Sequence, residues 1–196
     1  MIVDIGANRG QFALVARHYF PKARIISFEP LPIPALKYSN IFMADERAEI
    51  NTVGIGPIRK IESIHISASD DSSSFLSITV MQRKMFPGTE EIGTMDVQIA
   101  PLSDFLNADK IEQPAMLKLD VQGYELEALK GCQKLLKCFD WIYVECSFIE
   151  LYENQSLAHD VIAWLQQFGF RVMGIYNIYY DNAGKSIQAD IMFTKL

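Results

Sequence analysis

The chain has little of what marks the specialised protein classes. Its three cysteines, Cys132, Cys138 and Cys146, form no Cys-x-x-Cys pair and are odd in number. They read as reduced thiols rather than a disulfide framework or a zinc site. No apolar stretch reaches the roughly 18–20 residues that span a bilayer; the best, Trp141 to Tyr152, is broken by Glu145 and Glu150. No charged segment followed by an apolar one opens the sequence, so no secretory leader is expected and the setting reads as cytoplasmic. Positive charge is short, with 18 Lys and Arg against 24 Asp and Glu and a net charge of −6, which argues against a broad nucleic-acid surface. Internal repeats and long low-complexity segments are absent.

What is present suffices for a folded core. About half of the 196 residues, 49%, are hydrophobic, and the length predicts a single domain over 1–196, at roughly 100–200 residues per domain. Met1 is followed at once by Ile2-Val3-Asp4-Ile5-Gly6, so the chain opens inside a strand. Phe12, Val15, Ala16 and Tyr19 then fall at helical spacing until Pro21. Arg24–Phe28 reads as a second strand, a helix opens at Pro34 and runs to about Ala44, and Glu49–Val53 reads as a third strand. The middle is less regular: two strand-like stretches around Ile64 and Val97 flank Ser67–Gly93, whose turn chemistry marks a lid or insertion between the third and fourth core strands. Ala115–Leu119 is the fourth strand, Gly123–Lys137 a helix, Asp140–Cys146 the fifth strand and Ser156–Phe168 a helix stopped by Gly169. Phe170–Tyr180 and Ile187–Thr194 close the chain.

Short apolar strands alternating with amphipathic helices specify an α/β, Rossmann-like fold with helices on both faces of a mostly parallel sheet. The last two strands are joined by a turn too short for a crossover, so they form an antiparallel hairpin.

Ligands bind such sheets at the carboxyl ends of the strands. The first edge is Asp4-Ile5-Gly6-Ala7-Asn8-Arg9-Gly10. Gly6 permits a tight turn, and Gly10 lets the helix pack closely on the strand. Asn8 stands where a dinucleotide fingerprint needs glycine, and Asp4 repels a diphosphate but suits a cation. Glu29, ending the second strand in Phe28-Glu29-Pro30, can accept hydrogen bonds from two ribose hydroxyls. Asp120 ends the fourth strand and Glu145 lies near the end of the fifth, so both stand at the mouth. Asp120 reads as the base or acceptor-orienting group, or as a helix cap. Glu145 reads as its neighbour in catalysis, or as a buried partner of Lys118. Glu125 complements a helix dipole or faces the acceptor. Carboxylates at one mouth could hold Mg²⁺, but only Asp120 is well placed, so no metal ligand is assigned. His18, His65 and His159 lie away from the edge. Trp141, Tyr143, Phe148 and Tyr152 read as core, and Tyr176, Tyr179 and Tyr180 as lining of the acceptor side.

Three separated stretches, Val3-Asp4-Ile5-Gly6-Ala7-Asn8-Arg9-Gly10-Gln11-Phe12, Phe28-Glu29-Pro30 and Leu117-Lys118-Leu119-Asp120-Val121-Gln122-Gly123-Tyr124-Glu125, together resemble the FkbM family of S-adenosylmethionine-dependent methyltransferases. Val144-Glu145-Cys146-Ser147-Phe148 and Leu151 to Leu157 are similar to its C-terminal region. The resemblance implies a class I methyltransferase fold with seven strands and S-adenosylmethionine as cofactor. It also implies O-methylation of a small molecule or sugar unit in a biosynthetic pathway. On that likeness the donor is held by Asp4, Gly6, Ala7, Asn8, Gly10, Glu29, Ser73 and Asp120. The expected partner is a small-molecule or glycan acceptor, with no nucleic acid and no membrane span. The chain departs from the family at Gln122, where Glu is common, and in opening without the helix that covers the donor pocket. That opening leaves an upstream start, an open pocket or closure by a second copy, a homodimer among them. An NAD(P)-dependent oxidoreductase, a non-catalytic S-adenosylmethionine-binding module and an RNA methyltransferase are the alternatives.

Overall fold

The computed structural model describes residues 1–195. In chain order the elements are β1 (Ile2–Ile5), α1 (Gln11–Tyr19), β2 (Ile25–Phe28), α2 (Pro32–Ile41), β3 (Ala48–Asn51), β4 (Gly54–Ile55), β5 (Lys60–Ser67), α3 (Val80–Met85), β6 (Glu91–Ala100), β7 (Met116–Leu119), α4 (Glu125–Cys132), β8 (Trp141–Ser147), α5 (Ala158–Gln166), β9 (Phe170–Tyr180) and β10 (Ser186–Lys195). The main sheet has seven strands in the order β3-β2-β1-β7-β8-β10-β9. It is parallel from β3 to β8, and β10 runs antiparallel to both β8 and β9. The chain grows outward from β1 in one direction and then from β7 in the other, so the switch point of this doubly wound sheet lies between β1 and β7.

Every residue of β1 and β2 is buried, as expected of strands covered on both faces. The alternation of β1 sorts its side chains. Ile2 packs with Ala13, Ala16, Tyr38 and Phe42 of the α1–α2 layer, whereas Val3 and Ile5 pack with Leu117, Leu119, Ala128, Leu129, Val161 and Leu165 toward α4 and α5. Asp4 falls on the α1 side with Ile2, and the pairing of Asp4 with Lys118 across β1 and β7 puts both side chains on that face.

The middle of the chain forms a second sheet that the sequence reading did not separate. Its order is β4-β6-β5, with β4 parallel and β5 antiparallel to β6. Within the 67–93 segment, residues 68–90 are therefore the connection between two strands of this sheet, and they are tied down. Ser74 bridges His65, Ile78 bridges Tyr152, and Thr79 caps α3 by accepting the Gln82 N–H at 3.1 Å. Two helix bounds also differ. The second helix opens at Pro32, with proline in its first turn, and the helix expected to reach Lys137 ends at Cys132, continuing as a 3-10 helix over Gln133–Cys138. At Gly131 a Cβ would stand 2.6 Å from the Gly56 carbonyl oxygen, so α4 packs backbone against backbone on the turn after β4. Among the described residues no helix is long and apolar enough to cross a membrane.

Candidate active site

A cavity of about 500 Å³ opens at the carboxyl ends of β1, β2, β7 and β8. That size is typical of a small-molecule site. Its floor is the turn after β1. Gly6 has φ +77°, and a Cβ there would lie 1.8 Å from the Asp120 carbonyl oxygen, so only glycine fits. The Gly6 and Ala7 N–H groups both donate to the Phe28 carbonyl, at 3.0 and 3.1 Å. Asn8, also at positive φ, donates its N–H to Glu29 Oε2 at 2.9 Å.

Glu29 is thus pinned from two sides, since its Oε1 accepts the Leu31 N–H at 2.9 Å. Burial pushes its carboxyl up to about 7 against the pull of those two N–H donors. Each oxygen can accept a second hydrogen bond, and the side chain lines the cavity. Beyond it Leu31, Val53, Ile55, Ile64 and Phe75 form an apolar wall. Tyr124 lines the cavity too, its ring 5.0 Å from that of Phe75.

Two residues expected to hold the cofactor stand elsewhere. Asp4 is fully buried beneath the cavity and is not part of its lining. Its partner is Lys118, whose Nζ lies 3.0 Å from Asp4 Oδ1, although neither Asp4 oxygen makes a well-directed hydrogen bond among the described residues. Burial raises the Asp4 carboxyl and Lys118 opposes it; for Lys118, burial pulls down while Asp4 and Asp120 push up and prevail. Lys118 also donates to the Gly6 carbonyl at 3.1 Å and approaches Asp120 Oδ2 at 3.8 Å. The ion pair expected between Lys118 and Glu145 is therefore replaced by one with Asp4, its cross-strand neighbour on the same face. Gly10, at φ +94°, turns toward Tyr38 and Phe42, where a Cβ would meet both rings at 2.9 Å. It fits α1 against α2 and lies outside the lining.

The far end of the cavity is carboxylate-rich. Asp120 does not cap α4, whose N-terminus has no side-chain cap hydrogen bond among the described residues; Glu125 instead braces the turn that leads into the helix. Glu125 Oε1 accepts the N–H groups of Val121 and Gly123 at 3.2 and 3.0 Å, and burial holds its carboxyl near 7. Glu125 thus faces back into the protein and not the acceptor. Gln122, at φ +54°, donates from Nε2 to Asp120 Oδ1 at 2.7 Å and to Glu145 Oε2 at 2.9 Å. Its Oε1 accepts from the Tyr152 hydroxyl at 2.7 Å. Glu145 Oε1 accepts from Gln188 at 3.0 Å. Burial, then Asp120, Glu125 and Asp190, hold the Glu145 carboxyl well above the usual range.

Residues 70–74 close over one side. Asn8 Nδ2 donates to the Asp70 carbonyl at 2.9 Å, Arg9 pairs with the Asp70 carboxylate, the Ser74 hydroxyl donates to the Gln122 carbonyl at 2.6 Å, and Ser73 lines the cavity. The aromatic expectations divide. Tyr152 is buried, but Tyr143 lines the cavity, whereas Tyr176, Tyr179 and Tyr180 do not. Tyr179 packs on Phe86 instead, at 4.8 Å. The residue that β9 sends into the cavity is Asn177, together with Asp190 of β10 and Phe12 and Val15 of α1. Alternation along β8 could have found Tyr143, two residues before Glu145; nothing in the sequence marks the bulge that aims Asn177. None of the three histidines lines the cavity; His65 pairs with Glu91 at 2.9 Å.

These groups fit a cationic nucleoside. Glu29 offers spare lone pairs for a diol, the apolar wall suits a flat heterocycle, and six lining carboxylates, Glu29, Asp70, Asp71, Asp120, Glu145 and Asp190, stand against the single ammonium of Lys118.

Comparison with known proteins bears on the same region. The family described as the methyltransferase FkbM domain matches residues 4–172. The chain is 26% identical over 194 residues to the methyltransferase sdnD of Sordaria araneosa, covering 87% of this chain and 73% of that protein. It is 28% identical over 174 residues to the 2-O-methyltransferase NoeI of Sinorhizobium fredii, covering 86% and 72%. The fold is similar to that of Streptococcus pneumoniae Sp1610, solved in complex with S-adenosyl-L-methionine. The TM-score there is 0.56, with 10% identity, 99% of this chain covered and 65% of that one.

Proposed function

The chain belongs to the FkbM methyltransferase family, and from that premise we propose that it O-methylates a hydroxyl of a small molecule or sugar unit in a biosynthetic pathway of the cytoplasm. The enzyme is an S-adenosylmethionine-dependent methyltransferase, so the oxidoreductase alternative falls away. The observation that supports the O-methylation reading most is the division of one cavity into a Glu29 end and an Asp120–Glu145 end, with the Gly6–Asn8 turn between them.

S-adenosylmethionine supplies a methyl group already activated on a sulfonium. The residues present need only hold and align the reactants, a contribution that can reach ~7–11 kcal/mol. Glu29 would receive the ribose hydroxyls, Gly6, Ala7 and Asn8 would border the donor, and Ser73 would close on it from the strap over residues 70–74. Asp120 would orient the acceptor hydroxyl and take its proton, with Glu145 beside it. Asp4, one layer down, keeps Lys118 charged and Lys118 in turn faces Asp120, so their part is positioning. The acceptor is small, because the carboxylate-rich mouth repels a nucleic acid. Its choice rests with the mouth, the final hairpin and the 67–93 segment of this domain.

The test is a thermal-shift panel. S-adenosylmethionine and S-adenosylhomocysteine should raise the melting temperature and NAD and NADP should not, because only a ligand of the native state stabilises it. Absence of a shift at millimolar S-adenosylhomocysteine would overturn the reading of this cavity.

A further inference from the structure

Among the described residues four non-glycine residues have positive φ, Asn8, Gln122, Asn154 and Asn177, and three of them, Asn8, Gln122 and Asn177, line the same cavity. Backbone held in this region costs about 1–3 kcal/mol per residue and gathers where a side chain must be aimed. Asn8 serves the Glu29 end and Gln122 the carboxylates. Asn177 hydrogen-bonds neither Glu29 nor Asp120 among the described residues. It sits in a bulge: between the pairs Gln188↔Tyr179 and Asp190↔Tyr176 the register shifts, and bulges of this kind re-aim side chains beside sites.

Asn177 is aimed at Asp190. Its Nδ2 donates to Asp190 Oδ2 at 2.7 Å and reaches the Tyr143 hydroxyl at 3.3 Å. Tyr143 donates to the same Oδ2 at 2.8 Å. Asp190 lies directly opposite Glu145 in the β8–β10 ladder, and two acidic side chains so placed repel each other in an ordinary sheet whenever both are ionised. A structural purpose does not explain why the hairpin is bent to hold a second carboxylate there.

The hydrogen-bond inventory of this end is one-sided. Among the described residues the side-chain donors of its lining are engaged. Gln122 Nε2 serves Asp120 and Glu145, Asn177 Nδ2 serves Asp190 and Tyr143, Tyr143 serves Asp190, and Lys118 donates to the Gly6 carbonyl and is ion-paired with Asp4. Acceptor capacity is left over. Each Glu145 oxygen has one partner, Asp190 Oδ1 has no hydrogen-bond partner among the described residues, and Asp120 Oδ2 has only Lys118 at 3.8 Å.

We propose that Tyr143, Asn177 and Asp190, with Glu145, form the acceptor-recognition subsite, and that it takes a group that donates hydrogen bonds and carries no negative charge, such as a diol of an uncharged sugar, and refuses carboxylated and phosphorylated acceptors. A hydroxyl-bearing ring supplies the donors that the subsite lacks. A carboxylate or phosphate would set lone pairs against lone pairs and a further negative charge against Asp120 and Asp190. The inference rests on the reading of Asp120 and Glu145 as the acceptor side of a methyltransferase, and it goes beyond it in naming what that side selects.

The test uses the full chain loaded with S-adenosylhomocysteine. Saturation-transfer NMR is recorded with the methyl glycosides of glucose, galactose, mannose and fucose, with methyl glucosaminide, and with methyl glucuronide and glucose 6-phosphate as anionic probes. At least one uncharged glycoside is expected to bind at least tenfold more tightly than both anionic probes. Asp190→Asn keeps the oxygen that Tyr143 and Asn177 contact and turns the other into a donor. It should narrow the preference for uncharged over uronate probes at least fivefold, and Asn177→Ala should weaken the uncharged glycoside. Equal or tighter binding of the anionic probes, no binding of any glycoside, or an unchanged preference in Asp190→Asn would overturn the proposal. Affinity for S-adenosylhomocysteine, measured on the same samples, separates the outcomes. If it is retained while the discrimination fails, this subsite is wrong and the donor site stands; if it is absent from the parent protein, the methyltransferase reading of the cavity fails first.

Discussion

Lys118 Nζ stands 3.0 Å from Asp4 Oδ1 with both side chains nearly withdrawn from water, at 7% and 0% exposure. A buried pair of this kind adds little net stability, because desolvation offsets attraction, but removal of one partner leaves an uncompensated charge. Lys118→Met should therefore destabilise the chain by about 3–5 kcal/mol, and Asp4→Leu added to it should restore much of the loss. Urea unfolding of the two variants checks this; a double variant no better than the single one would refute the pairing.

Glu29→Ala should weaken S-adenosylhomocysteine binding by ~1–3 kcal/mol, the range for a lost hydrogen-bonding carboxylate. Calorimetric titration measures it. An unchanged affinity would remove Glu29 from the donor site and leave it only its backbone bonds to Asn8 and Leu31.

Glu125 gives a pH signature. Its carboxyl is held near 7 in the folded chain against an ordinary value of 4.5. Between those values the folded state binds more protons than the unfolded one, so this group's contribution to stability falls as pH rises from 4.5 to 7 and stays low above. Glu125→Gln retains Oε1, which makes both backbone bonds, and cannot ionise. The variant should match the parent near pH 4.5 and exceed it by ~1–3 kcal/mol at pH 8. Denaturant titrations at the two pH values decide, and a gain that does not depend on pH would exclude the charge as its source.

Gln122→Glu installs the residue common in the family between Asp120 and Glu145. It replaces two donated hydrogen bonds with a third carboxylate. The expected loss is about 1–3 kcal/mol at pH 8 and less at pH 5, where protonation restores a donor. Melting curves at both pH values report it.

The sequence was readable wherever local pattern and global fold agree. Short apolar runs marked β1, β2 and β7, and the brief Asp181–Gly184 turn required the antiparallel pair β9–β10. That Glu29, Asp120 and Glu145 line the cavity could be read from the sequence, because each stands at or near the carboxyl end of a strand. What escaped depends on contacts distant in sequence. Asp4 looked like a site residue because it ends a strand, yet the face it occupies lies under α1, and only the pairing with Lys118 reveals that. The bracing of the 121–123 turn by Glu125 and the turn of Gly10 toward Tyr38 and Phe42 depend on tertiary packing. Membership of the last hairpin does not bring Tyr176, Tyr179 or Tyr180 to the cavity, because a register shift of β9 against β10 presents Asn177 instead.

The approach of Gly131 to Gly56 sets where this chain can be recombined. A chimaera exchanging only residues 67–93 would carry away the strand ends of β5 and β6 and the ties of Thr79 to Leu151 and of Ser74 to Gln122, while leaving their partners behind. One cut on either side of the small sheet would instead part the two glycine backbones on which α4 rests. A graft must therefore keep the Gly131–Gly56 contact and the ties to Leu151 and Gln122 together, because these join the wall of the cavity to the helix behind Asp120.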